Sequence, residues 1–364
     1  MELHGGNILR IAEEKGEDPR EWTDFSANIN PFGMDESVKA AVLKSLDSVQ
    51  HYPDSSYQRL CALLAKKHGV KEEEIILGNG ALELIYRLVS VLSNPPGRES
   101  FSDKSKALRS FCAERGSLNA LIPAPSFSSY ESAVRAFGRN RVRLCRLNRS
   151  FQPDQSYIQA LNEDIDIAFL CLPNNPTGTL PEKEDLEEIL RRAKQKGILL
   201  FADECFLDFS RREKEYSLIQ RLREYPNIAV LKSFTKLYAI PGLRLGYLIS
   251  SNEELREVLR KQTPCWAISS PAAAAGEAAL LLDVTNLPGE IAGERNYLKE
   301  ELCRLGCRVW ESEANFLFFY REQSEELYEK LLQKKIIIRK CDSYHFLDRG
   351  YYRIAVRKRY ENKK

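Results

Sequence analysis

Ile198-Leu199-Leu200-Phe201-Ala202-Asp203-Glu204 is a run of five apolar residues closed by two carboxylates. Apolar side chains on both alternating faces predict a strand buried between two layers, with the acidic pair at its end. Three further segments have the same character: residues 74–77, 165–172 and 228–231. Helical patterns follow two of them, running to about position 92 and over 183–196. Doubly buried strands separated by helices indicate βαβ units and an α/β fold with a mostly parallel sheet. Ligands bind at the carboxyl ends of such strands, and each polar motif below follows a strand end.

Beyond position 247 helical patterns dominate (253–261, 272–282, 289–305), the second expected to be buried despite Glu277. Short strands at 316–320, 336–339 and 351–356 and a helix at 324–334 complete a smaller α+β unit. The expected organisation is a segment 1–40 joining the small domain, a large domain 41–246 and a small domain 247–364. Residues 94–115 are polar, contain Pro95-Pro96-Gly97, and are expected to be a surface insertion.

Composition excludes several classes of function. A chain of 364 residues with 43% hydrophobic and 29% charged residues is an ordinary globular protein. Its 54 basic and 52 acidic side chains leave a net charge of +2, so no global field favours nucleic acid or an anionic membrane. No segment approaches the roughly 20 uninterrupted apolar residues of a membrane span, and the N-terminus lacks an export signal. Nine scattered cysteines are then expected as reduced thiols in a cytoplasm. Cys303 and Cys307 stand at a helical spacing without a nearby histidine, and the four histidines form no ligand spacing, so no metal site is expected.

The chemistry-bearing motif is Ser233-Phe234-Thr235-Lys236, followed by Pro241-Gly242-Leu243-Arg244. A lysine just past a buried strand, with a hydroxyl before it and an arginine after it, suits a phosphorylated aldehyde. The amine condenses with the aldehyde while hydroxyl and guanidinium hold the phosphate. Ser-x-x-Lys also occurs in penicillin-binding proteins, but their Ser-Asp-Asn and Lys-Thr-Gly elements are missing. Asp203 can pair with a protonated ring nitrogen, although a helix cap or a metal ligand uses the same residue type. Pro173-Asn174-Asn175-Pro176-Thr177-Gly178 puts an amide donor, Asn175, in what is otherwise a turn composition. Gly78-Asn79-Gly80 opens a helix whose free N–H groups suit a phosphate, that of a nucleotide included.

In order along the chain, Gly-Asn-Gly, an aromatic after Pro125-Ser126, Asn-Pro-Thr-Gly, Asp-Glu, Ser-x-x-Lys and Arg resemble the motif set of fold-type I pyridoxal-phosphate enzymes of the class I/II aminotransferase superfamily. The resemblance covers nearly the whole chain. It implies pyridoxal 5'-phosphate as cofactor, condensed with Lys236, with Phe127 stacked on the ring. It assigns Asp203 to the ring nitrogen, Asn175 to the phenolic oxygen, and Gly78, Asn79, Gly80, Ser233 and Arg244 to the phosphate end, with Phe206 also at the cofactor. It implies a homodimer in which Tyr52, within His51-Tyr52-Pro53-Asp54, reaches the partner's cofactor, and it assigns Arg353 to the substrate α-carboxylate.

The N-terminus narrows the resemblance. His4-Gly5-Gly6-Asn7-Ile8 and Asp24-Phe25-Ser26-Ala27-Asn28-Ile29-Asn30-Pro31 look like the threonine-phosphate decarboxylases of cobalamin biosynthesis. Histidinol-phosphate aminotransferases share the Asn-Pro-like element and Tyr-Pro-Asp. The resemblance assigns Arg339, in Ile336-Ile337-Ile338-Arg339, to the substrate phosphate, with His4, Gly6 and Asn30 nearby. The implied reaction is decarboxylation of O-phospho-L-threonine to aminopropanol phosphate. The alternatives are a histidinol-phosphate-type transamination, a related phospho-amino acid such as O-phosphoserine, and a non-catalytic regulator of the same fold. A nicotinamide enzyme is disfavoured, since no Gly-x-Gly-x-x-Gly follows an early strand. The chain ends soon after Arg353, so the usual C-terminal helix of these relatives is expected to be missing.

Overall fold

The computed structural model describes residues 5–93, 117–323 and 326–364. The expected insertion at 94–115 lies outside the described residues, as does His4. The larger sheet is built on β3 (Asn119–Ala124), β5 (Ile167–Cys171), β6 (Leu199–Asp203) and β7 (Ile228–Ser233). Every side chain of β5, β6 and β7 is buried, as their apolar runs lead one to expect, with Asp203, Lys232 and Ser233 buried at the ends of the last two. With β2 (Ile75–Gly78), β4 (Arg141–Arg146) and β8 (Gly246–Ile249) the sheet has seven strands in the order β2-β8-β7-β6-β5-β3-β4. Only β8 runs antiparallel to its neighbours, between β2 and β7.

The place of β8 bears on the expected organisation. The larger sheet continues to Ile249, so a boundary at 246 falls at the first residue of a strand hydrogen-bonded into it. Hydrogen bonding to both β2 and β7 overrides the sequence pattern here, because a strand this short carries little periodicity of its own.

Helices cover the sheet through one apolar stripe each. Helix Lys183–Gln195 buries Leu186, Ile189, Leu190 and Ala193, the three-and-four spacing of one face. Helix Ala81–Ser93 buries most of its length, including Leu84, Ile85, Leu88 and Leu92. The expected buried helix at 272–282 is instead Ser270–Ala279, buried on one side only. Glu277 pairs with Arg59 at 3.2 Å, and Leu281 beyond it is exposed.

The smaller sheet has the order β12-β13-β10-β9. Its strands are β9 (Arg308–Val309), β10 (Phe316–Tyr320), β12 (Arg339–Lys340) and β13 (Tyr351–Ala355), all antiparallel. The single strand expected at 336–339 is divided. β11 (Ile336–Ile337) pairs in parallel with β1 (Thr23–Asp24), which ties the N-terminal segment to the smaller sheet. The last residues form one helical turn, Arg359–Asn362.

One buried charge underlies the larger sheet. Lys232 on β7 is fully buried and lies 3.1 Å from Asp208, 3.6 Å from Glu204 and 3.6 Å from Glu213. Burial alone would lower its affinity for the proton, but these carboxylates more than offset it and hold the ammonium above the usual lysine range. Beside it His68 meets the Tyr247 hydroxyl at 2.8 Å, and burial, with Lys232 and Lys67, pushes its pKa down to about 3. Replacing Lys232 with methionine strands these carboxylates. The expected cost is about 3 kcal/mol in urea unfolding at pH 8. The cost shrinks at pH 5, where protonation relieves the orphaned carboxylates.

Candidate active site

The carboxyl ends of β3, β5, β6 and β7 open into a cavity of about 510 Å³, and Lys236 lines it. Ser233 ends β7 and caps the short helix Phe234–Leu237, its hydroxyl accepting from the Thr235 N–H at 3.2 Å. That cap turns the chain abruptly, so Lys236 lies one helical turn beyond the sheet, inside the cavity. Burial pushes its pKa down to about 8, and the positive charges of Arg353 and Arg244 push in the same direction. An amine so held is a competent nucleophile near neutrality.

Asp203, the last residue of β6, stands on the cavity wall. One of its oxygens accepts from the Cys205 N–H at 3.0 Å and the other from the Tyr130 hydroxyl at 2.6 Å. Tyr130 is fully buried and stacks on Phe169 with ring centres 4.9 Å apart. Burial, with Asp203 beside it, keeps the phenol well above its ordinary pKa, so it stays a donor. Phe127, Asn175 and Phe206 also line the cavity, and the Lys236 amine lies 5.9 Å from the centre of the Phe206 ring.

The phosphate end departs in detail from the sequence reading. Gly78, Asn79 and Gly80 do not line the cavity; Ala81 and Leu82, the first residues of helix Ala81–Ser93, do. The N–H of Gly80 bonds to the Gly78 carbonyl at 2.8 Å and that of Asn79 to Glu83 at 3.2 Å, so the turn consumes those donors. Gly80 has a different task. At φ +83° it lies under Arg244, and a Cβ there would stand 2.6 Å from the guanidinium. Arg244, Ser233 and Thr235 line the same end, the two hydroxyls 2.7 Å apart.

Opposite stands Arg353, from the middle of β13. Its guanidinium donates to the Asn175 side-chain oxygen and to the Ser26 carbonyl, the latter at 2.8 Å. With its amide turned, Asn28 also accepts from it, at 3.2 Å. All of these partners are neutral, so among the described residues no carboxylate balances this buried charge. Arg339 is the register partner of Arg353 on β12, which puts the two side chains on one face. It is equally buried, but it lines a neighbouring cavity of about 640 Å³ that shares Gly5 and Ser26 with the first. Its guanidinium donates to Ser343 at 3.1 Å and lies 5.8 Å from the Tyr344 ring centre.

Gly5 and Gly6 run along this rim. A Cβ on Gly5 would lie 2.3 Å from the Ser26 carbonyl oxygen, and the Gly6 N–H bonds to the Ser26 hydroxyl at 2.8 Å. Asn30, expected near the substrate phosphate, is not among the residues lining either cavity. Its side chain donates to the Leu237 carbonyl at 2.7 Å and accepts from the Phe32 N–H at 3.0 Å, so it anchors the loop after Lys236, and Asn28 lines the cavity in its place. Tyr52 is 77% exposed, stacks on Trp266 at 4.2 Å and does not line this chain's cavity. Sequence reading missed Tyr130, Thr235, Asn28 and Tyr344. Thr235 and Asn28 stood inside quoted motifs, whereas nothing local marked Tyr130 or Tyr344.

These residues fit a phosphorylated aldehyde with a basic ring nitrogen: a depressed amine, hydroxyls and a guanidinium at one end, and an oriented carboxylate on the wall. Because only the neutral amine condenses, incorporation of pyridoxal phosphate into the cofactor-free protein should accelerate as pH rises. The expected rate climbs roughly tenfold per pH unit below the lysine pKa and levels above it. Stopped-flow absorbance across pH 6–10 checks this, and a flat profile contradicts it.

The family model described as aminotransferase class I and II matches residues 20–363. A threonine-phosphate decarboxylase of Salmonella typhimurium is 37% identical over 99% of this chain and 94% of its own length. A histidinol-phosphate aminotransferase of Methanosarcina mazei is 30% identical over 99% of this chain and 90% of its own. Among solved structures, the histidinol-phosphate aminotransferase from Clostridium acetobutylicum aligns with a TM-score of 0.81 at 29% identity, over 93% of this chain and 96% of that one. A match of this extent, on a chain whose fold and site geometry agree, makes this protein a member of the class I and II aminotransferase family.

Proposed function

We propose that the chain is a pyridoxal-phosphate-dependent decarboxylase that converts O-phospho-L-threonine to (R)-1-aminopropan-2-yl phosphate in cobalamin biosynthesis. The observation that carries this reading is the pair Arg339 and Arg353, buried side by side on antiparallel strands with Lys236 in the cavity of the second. Two guanidiniums opposite one another, each lining one of two adjoining cavities, suit a substrate that carries both a carboxylate and a phosphate. The 37% identity to a threonine-phosphate decarboxylase supports the same substrate class.

Pyridoxal phosphate, when bound, supplies the electron sink for a bond broken at Cα. The chain's own residues decide which bond. Arg353 grips the carboxylate through its planar fork, and its bonds to Asn175 and Ser26 fix the guanidinium plane. Arg339 draws the phosphate toward the neighbouring cavity, so the substrate is held at both ends. Held by Arg353, the carboxylate would be the group lost from Cα as CO₂. Lys236, in the same cavity, would supply the proton that replaces it at Cα. Asp203, oriented by Tyr130, would hold the cofactor's ring nitrogen in its protonated form.

Transamination of a histidinol-phosphate-like substrate is the second reading, favoured by the 30% identity to such an enzyme over nearly the whole chain. We further propose that the chain works as a homodimer in a cytoplasm: exposed Tyr52 is available to a second copy, and the eight described cysteines are all free thiols. No described helix is long and apolar enough to cross a membrane.

Incubation with O-phospho-L-threonine should release CO₂ without an amino acceptor. No CO₂, with 2-oxoglutarate-dependent turnover of histidinol phosphate, would replace the first reading by the second. Arg339→Ala is expected to raise KM by roughly 10- to 100-fold with kcat little changed. Arg353→Lys keeps the charge but loses the fork, and should lower kcat more than it raises KM. Steady-state kinetics on both variants distinguish the two roles.

A further inference from the structure

The loop of residues 341–350 joins β12 to β13, the strands that carry Arg339 and Arg353. Successive residues of it point to different places. Ser343 accepts from Arg339, and Tyr344 is buried and lines the Lys236 cavity. His345, the next residue, reaches away from the smaller sheet, its Nε2 lying 2.6 Å from a carboxylate oxygen of Glu131. Phe346 follows, with the Arg146 guanidinium 5.5 Å from its ring centre.

Glu131 belongs to helix Ser129–Ala136, which packs on the larger sheet. Its other oxygen accepts from Arg135 at 2.7 Å, one turn along the same helix, so the carboxylate has a local partner without His345. The residue before it, Tyr130, holds Asp203, and Phe127 lies just ahead of the helix on the cavity wall. The His345–Glu131 contact therefore joins the loop beside the substrate arginines to the helix that orients the partner of the cofactor ring.

We infer that Glu131 and His345 are positioning residues, a clasp across the cavity mouth that holds Tyr344 and Arg339 in place for the phosphorylated substrate. The substrate part rests on the function proposed above. The clasp acts through Tyr344 and the Ser343–Arg339 bond; neither Glu131 nor His345 lines the Lys236 cavity. His345 is half exposed, so the contact has the strength of a surface ion pair. A contact of that strength can be made and released with each substrate that enters.

The test uses the holoenzyme and the variants Glu131→Ala, His345→Ala and their double. Each single variant should raise KM for O-phosphothreonine about two- to fivefold, with kcat within about twofold. The double should be no worse than either single, since both remove one contact. Glu131→Gln, which keeps an acceptor for His345, should restore most of the loss. Independently of any substrate, amide hydrogen exchange in residues 341–350 should quicken in both alanine variants. Additive KM effects, an unchanged KM, or unchanged exchange in the loop overturns the clasp. If the wild-type protein does not turn over O-phosphothreonine, the proposed function fails, and the exchange measurement still decides whether the clasp exists.

Discussion

Lys236, Arg244 and Arg353 line one cavity whose acidic lining residues are Asp24 and Asp203, and the electrostatics of the site follow from that imbalance of charge. Three cations in a space of low dielectric repel one another more strongly than they would in water. The protein answers in two ways: the lysine yields, its pKa drawn down by burial and its neighbours, while Arg353 spreads its charge over neutral oxygens from Asn175 and Ser26. Neither response neutralises the site. What remains is an attraction for phosphate at one end of the cavity and for carboxylate at the other.

The scaffold explains why these groups can be held so closely. Asp203 and Ser233 end buried parallel strands and Asn175 follows one, and neighbouring strands in such a sheet lie about 5 Å apart. Arg353 arrives from a different sheet, through a strand whose neighbour carries Arg339. The arginines of the smaller sheet are thus joined to the strand ends of the larger one by the N-terminal segment at Ser26 and by the His345–Glu131 contact. In the function proposed above, a fold built this way can keep one cofactor chemistry and change which anion is read.

Beneath the site, Lys232 shows how the sheet tolerates charge elsewhere. It alternates with Ser233 along β7, so one residue faces the cavity end and the other a pocket of carboxylates. Glu204 stands in the same relation to Asp203. The two-residue period of strands places a reactive group and its structural counterpart side by side in sequence, on opposite sides of the sheet. Local pattern could not say which of Asp203 and Glu204 faced the cavity; chemistry suggested the first, and the strand register placed it there.

The sequence by itself determined the mostly parallel sheet, the burial of Lys236 just past one of its strands and the order of motifs around it. Unbroken apolar runs admit one kind of strand, and the motifs follow those strand ends. It did not reveal β8's place between β2 and β7, because four residues carry too little periodicity. That Asn28 rather than Asn30 lines the Lys236 cavity was equally hidden: both are asparagines, and only the backbone path shows that Asn30 spends its amide on the loop after Lys236. Tyr130 and the pairing of Arg339 with Arg353 were beyond reach for the same reason. Each depends on contacts between residues far apart in the chain, and those distances are set only when the two sheets and the N-terminal segment pack together.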